Sequence, residues 1–106
     1  MYFGIILETN DPEQAWNGLR FANTAQQKGH VVKLFLMGAG VEVERINGEK
    51  FNASAELEDF VANGGLVLAC GTCIKSRNQD SSELCPLSTM NDCVEMVKWA
   101  DKTVTF

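Results

Sequence analysis

Three short, almost continuous apolar runs constrain this chain most: "YFGIILET" (Tyr2–Thr9), "VVKLFLMG" (Val31–Gly38) and "GLVLAC" (Gly65–Cys70). Each has the length of a strand, and runs this apolar are the pattern of strands covered on both faces. After the turn "TNDP", which puts Pro12 in a first helical turn, Ala15, Trp16, Leu19, Ala22 and Ala25 recur at helical spacing between Glu13 and Lys28. "KGH" (Lys28–His30) then stops the helix. Strand, helix and strand in this succession make a βαβ unit with parallel strands and a right-handed crossover.

Further along, "SAELEDFVANGG" predicts a helix from Ser54 to Ala62, capped by Ser54 or Asn52 and stopped at Asn63-Gly64. Gly38 and Gly40 mark a tight connection, "VEVERI" (Val41–Ile46) suits either a strand or a short helix, and Asn47–Asn52 reads as loop. A helical turn or two in "GTCIKSRN" leads to a loop over Gln79–Ser88. In the last helix, "TMNDCVEMVKWADK", the residues Met90, Cys93, Val94, Val97 and Trp99 or Ala100 are expected to face inward, and "TVTF" closes as a short strand. The alternation predicts an α/β fold: three layers, α/β/α, around a mostly parallel sheet of about five strands.

The 106 residues suit one domain spanning 1–106, long enough to bury a core without covalent staples. A net charge of −5 and nine scattered Lys and Arg argue against a nucleic-acid backbone as partner, which requires a concentrated basic surface. No apolar run approaches the ~20 residues of a membrane span, and the opening "MYFGIILETN" lacks the features of a signal peptide. The expectation is a cytosolic protein with no membrane span, whose thiols stay free unless they are catalytic or bound to metal.

In parallel sheets, sites lie beyond the carboxyl ends of the strands, here Glu8–Asp11, Met37–Gly40 and Cys70–Cys73. Cys70 stands at the end of the third strand and Cys73 one helical turn later. A thiol at a helix start has its anion stabilised by unpaired N–H groups, which would lower the pKa of Cys70. Arg77, four residues after Cys73, falls on the same side and is placed to approach the sulfur or a bound anion; the plain alternative is a solvent-facing arginine. Lys75 reads as surface.

Four readings compete for the pair: two small buried residues, half of a zinc site, a dithiol couple, or a sulfur-carrying nucleophile with a neighbour. Zinc would need Cys85, Cys93 or His30 as further donors, and no second C-x-x-C supplies them. A thioredoxin-like couple fits a C-x-x-C beside a βαβ unit, but the position after the third strand is unlike that family. No phosphate-binding or dinucleotide fingerprint is present, so neither a cofactor nor a metal ligand is assigned.

The chain resembles the DsrE/DsrF-like sulfur-relay proteins, including small YchN-type and TusD-type members. The likeness runs through "GIILET", "VKLFLMGAGV" and above all "ACGTCIKSRN". It implies a DsrE-like or flavodoxin-like sheet, with Cys70 as the sulfur-carrying cysteine and Arg77 as the arginine that precedes a glycine in the family. Asn78 stands in place of that glycine, a mild departure because asparagine tolerates left-handed geometry. Cys73 matches a cysteine found in only some members. The resemblance further implies a homo-oligomer (dimer, trimer or hexamer) that exchanges sulfur with donor and acceptor proteins or small thiols. In that chemistry Cys70 becomes a persulfide, which Cys73 resolves if it is close enough.

The remaining chemical residues carry less. His30 belongs to the opposite end of the sheet. Glu8, Thr9, Asn10 and Asp11 end the first strand, expected beside the third, and read mainly as a turn and helix cap. Cys85 is either a third thiol in a loop over the site or a plain loop cysteine, Cys93 has core spacing, and Trp16 and Trp99 read as core or interface aromatics.

Overall fold

The computed structural model describes residues 1–106. Its strands are β1 (Tyr2–Leu7), β2 (Val31–Leu36), β3 (Leu66–Cys70), β4 (Leu87–Ser88) and β5 (Lys102–Thr105). They form one five-stranded sheet in the order β4-β3-β2-β1-β5, with every pairing parallel. The helices are α1 (Pro12–Gln27), α2 (Ala53–Ala62), α3 (Gly71–Ser76) and α4 (Met90–Trp99). No helix is long and apolar enough to cross a membrane.

Local chemistry sets the helix ends. The Asp11 carboxylate accepts from the Gln14 N–H at 2.9 Å with Pro12 next in the chain, and Gly29, at φ +88°, ends the turn after α1. Asn52, the second of the two candidate caps, starts α2 by accepting from the Ala55 N–H at 3.0 Å. Gly64 stops it at φ +92°. Thr89 and Asp92 form a reciprocal capping box at the start of α4.

The two faces of the sheet are unequally covered. Ile5, Leu7, Val32, Leu34, Leu36, Val67 and Ala69 share a large buried cluster with Ala15, Leu19 and Ala22 of α1 and Leu57 and Phe60 of α2. The other face buries only Phe35 and Cys70 against Cys93 and Met96 of α4. Since α4 links strands at opposite edges of the sheet, a single helix spans that face.

This geometry corrects the expected inward set on the last helix. Cys93 and Met96 are buried, while Met90, Val94 and Val97 are 51%, 54% and 43% exposed. A lone helix on a broad sheet touches it along a narrow stripe, so apolar residues flanking the stripe stay in solvent. Trp99 is half-buried, stacked on Tyr2 at 4.7 Å with Lys33 over its ring; Trp16 is half-buried against the large core.

The ambiguous segment resolves to its short-helix alternative: Gly38–Arg45 is a 3-10 helix that buries Val41 and Val43. Two further expectations change. Leu87–Ser88, inside the stretch read as loop, pairs with Ala69–Cys70 as an edge strand. It is too short to show periodicity. Finally, β1 does not neighbour β3, because β2 lies between them.

Gly40 is required by a close approach: a Cβ there would sit 2.0 Å from the Leu7 carbonyl oxygen. Since backbone cannot step aside as a side chain can, Gly40→Ala is expected to cost about 3 kcal/mol. Gly48→Ala, where a Cβ would meet nothing within 4 Å, should change stability by less than about 0.5 kcal/mol. Urea midpoints at unchanged m-value check both.

Candidate functional site

Because all strands are parallel, the ends of β1, β2 and β3 lie together at one edge of the sheet. The backbone turns from β3 into α3 at Cys70, which takes extended dihedrals (φ −61°, ψ 113°) and makes no side-chain capping bond. The residue is only 5% exposed, and it packs on the α4 side with Phe35, Cys93 and Met96. Cys73, one turn on, is half-buried and touches both core clusters.

The second strand end supplies a donor to this thiol. Gly38, in left-handed geometry at φ +56°, donates its N–H to Cys73 Sγ at 3.1 Å. Burial pushes the Cys73 thiol above its ordinary pKa; the Gly38 N–H opposes this, and interaction with the Cys70 thiol reinforces it. Cys73 therefore holds its proton at neutral pH beside Cys70. Burial also raises Cys93, with a further push from the charge of Cys70.

Arg77 lies at the end of α3 but does not point at a sulfur. Its Nε donates to Glu42 Oε2 at 2.8 Å, and a terminal nitrogen donates to the Cys73 carbonyl at 3.3 Å. The guanidinium bond holds the Glu42 carboxyl below its ordinary pKa; burial opposes it, and Asn10 adds a further hydrogen bond in the same direction. Glu42, Arg77 and the Cys73 carbonyl thus join the segment after β2 to the helix after β3. Of the four residues at the first strand end, Asp11 is the helix cap and Asn10 is the one that acts on Glu42. After Arg77, Asn78 takes φ +50°, the left-handed geometry expected of a residue in a glycine position.

A cleft of about 510 Å³ opens at the cysteines between α3 and the corner of β4 and α4. Cys70, Cys73 and Lys75 line one wall, and Leu87, Ser88, Thr89 and Met90 the other. Gly71 permits the approach of the walls, since a Cβ there would lie 3.3 Å from the Ser88 carbonyl oxygen.

Cys85 is the loop cysteine of the two alternatives and not a third thiol of the cleft, and its side chain is buried. It is 1% exposed in the large core, and burial, with Glu44 alongside, drives its thiol far above the usual range. Cys93, expected to be core, is core, but in the same small cluster as Cys70. No three His, Cys, Asp or Glu are placed to share a metal ion. His30 lies at the amino end of the sheet, with Nδ1 2.9 Å from the terminal amine and its ring against Phe3.

Sequence reasoning missed Glu42, the Gly38 N–H and the place of Lys75 on the cleft wall. The glycine pair after β2 was the available signal for the second, whereas the other two depend on how distant segments pack.

Fold and site together define a small parallel α/β protein with a thiol pair at the carboxyl end of an interior strand. The model of the DsrE/DsrF-like family matches residues 1–106, and the chain belongs to that family. An uncharacterized protein of Methanocaldococcus jannaschii is 38% identical over 115 aligned residues, covering 100% of both chains. One from Methanopyrus kandleri is 38% identical over 100 residues, covering 89% of this chain and 83% of its own. Among solved structures, the ychN protein of E. coli superposes with a TM-score of 0.83 at 25% identity, covering 100% of both chains. A conserved protein of unknown function from Bacteroides thetaiotaomicron superposes with a TM-score of 0.77 at 16% identity, covering 99% of this chain and 94% of its own. The second likeness is one of fold alone.

The Arg77–Glu42 pair gives a pH prediction. A carboxyl whose folded pKa is depressed contributes stability above its unfolded pKa of about 4.3, and loses it as pH falls through the folded value. With 31% and 28% of the two side chains exposed, solvent screening limits the effect. Glu42→Gln should destabilise by about 1 kcal/mol or less at pH 7. The gap to wild type should close on acidification below about pH 4, as read by denaturation at each pH.

Proposed function

We propose that this protein, as one domain over residues 1–106, is a cytosolic sulfur carrier or sulfurtransferase that takes up sulfane sulfur as a persulfide on Cys70. The observation that carries this reading is the placement of two thiols on one cleft, Cys70 at the strand end and Cys73 one helical turn on with the Gly38 N–H on its sulfur. Family membership supports a sulfur-relay role. The Cys70 thiolate attacks the outer sulfur of a donor persulfide, which is displaced as its thiol. The bound sulfur then passes to an acceptor protein or small thiol.

Cys73 gives the cycle a second exit. Its sulfur attacks Cys70 Sγ, a Cys70–Cys73 disulfide forms as the Sγ–S bond breaks, and the sulfur leaves as sulfide carrying the Cys73 proton. External thiols then reduce the disulfide. In this scheme Arg77 is a positioning residue, acting through its bonds to Glu42 and the Cys73 carbonyl. The scheme needs no cofactor or resident metal.

We read the protein as a homo-oligomer. The exposed apolar side chains of Leu66, Leu87, Met90, Val94 and Val97 support this, since soluble monomers seldom leave so many in contact with water. A second reading of the site, a thiol-disulfide oxidoreductase, is favoured by the placement of Cys70 and Cys73 on the same cleft.

Intact mass after exposure of the reduced protein to a sulfane-sulfur donor separates these readings. Sulfur carriage predicts a gain of about 32 Da that requires Cys70 and accumulates in Cys73→Ser. No gain in any variant, while a control thiol protein is modified, would exclude it. A loss of about 2 Da on mild oxidation, without sulfur uptake, would favour the oxidoreductase.

A further inference from the structure

The positive charges near the cysteines are unequally available. Arg77 is already paired with Glu42 at 2.8 Å, and the second ion pair in the molecule is Lys98–Glu95 on α4. Lys75 is exposed, has no acidic partner, and lines the cleft. No Asp or Glu shares that lining. The carboxylate of Asp92 is turned to the cap of α4, where it accepts from the Ser88 hydroxyl at 2.6 Å and the Thr89 N–H at 3.3 Å. In a chain of net charge −5, this recess carries one free cation and no lining anion.

Its opposite wall holds two apolar side chains, Leu87 and Met90, 52% and 51% exposed, beside Ser88 and Thr89. Volume and burial add a limit on size. About 510 Å³ falls within the range of small-molecule sites. Cys70, only 5% exposed, borders that recess and not a flat surface.

We infer that the cleft takes sulfur from a low-molecular-weight persulfide whose carrier bears an anionic group, with Lys75 selecting the negative charge and Leu87 and Met90 receiving the carbon chain. This rests on the sulfur-uptake reading of Cys70 and names the donor class for it. The Cys70 thiolate attacks the outer sulfur of R–S–SH. The Cys70 Sγ–S bond forms as the donor S–S bond breaks, the proton stays on the transferred sulfur, and R–S⁻ leaves with the bonding pair. No external oxidant or reductant enters. Lys75 favours both the approach of the anionic donor and the charge gathering on its leaving sulfur.

The test compares persulfides of 3-mercaptopropionate, 2-mercaptoethanol and cysteamine, which share a two-carbon chain but carry negative, no and positive charge. Sulfur gained on Cys70 is followed by mass. At low ionic strength the anionic donor should react about fivefold faster than the cationic one, and about 0.5 M salt should collapse the difference. Lys75→Gln should remove the preference and Lys75→Glu reverse it, a response that a merely structural role for Lys75 would not produce. Equal rates for the three donors, or a preference that survives in Lys75→Gln, would overturn the inference while leaving sulfur uptake by Cys70 standing. No sulfur on Cys70 from any donor would overturn both.

Discussion

The site depends on how tightly the chain leaving β2 is held against the end of β1. Met37 donates its N–H to the Leu7 carbonyl at 3.0 Å, and Gly40 passes so close to that carbonyl that no side chain fits. Between these two anchors Gly38 is fixed in a left-handed conformation with its N–H aimed at Cys73. The 3-10 helix then carries Glu42 to Arg77. A backbone contact between two strands that carry no cysteine thus sets the surroundings of the thiols on the third.

Unequal coverage of the sheet accounts for the access to that site. Helices α1 and α2 seal one face into a continuous core, which takes in Cys85 and makes it inert. On the other face α4 alone spans the sheet, so the cluster holding Cys70 has only four buried members and opens at the β4 corner. The same thin cover leaves apolar side chains in solvent. A single packing choice thereby leaves both Cys70 at the edge of a cleft and apolar side chains of α4 in solvent.

What sequence makes legible here is whatever rests on local chemistry. The three apolar runs, the Pro12 and Gly29 boundaries of α1, and Cys70 at a strand end follow from patterns a few residues long. Asn78 in left-handed geometry belongs with them. Strand order, the two-residue β4 and the narrow buried stripe of α4 depend on pairings between distant segments, and no local pattern encodes them. The same holds for charge. Sequence assigns Arg77 to the site and Lys75 to the surface, but Glu42, some 35 residues from Arg77, pairs with Arg77 and leaves Lys75 free on the cleft wall.

The central claim is that Cys70 and Cys73 act on one another across one cleft, which the pH dependence of Cys73 modification tests most directly. Alkylation followed by peptide mass mapping should give Cys73 a midpoint above that of an ordinary thiol. Cys70→Ser should bring that midpoint down, because the neighbouring sulfur that reinforces the effect of burial is gone. A Cys73 midpoint at the ordinary thiol value, or one unmoved by Cys70→Ser, would contradict the account.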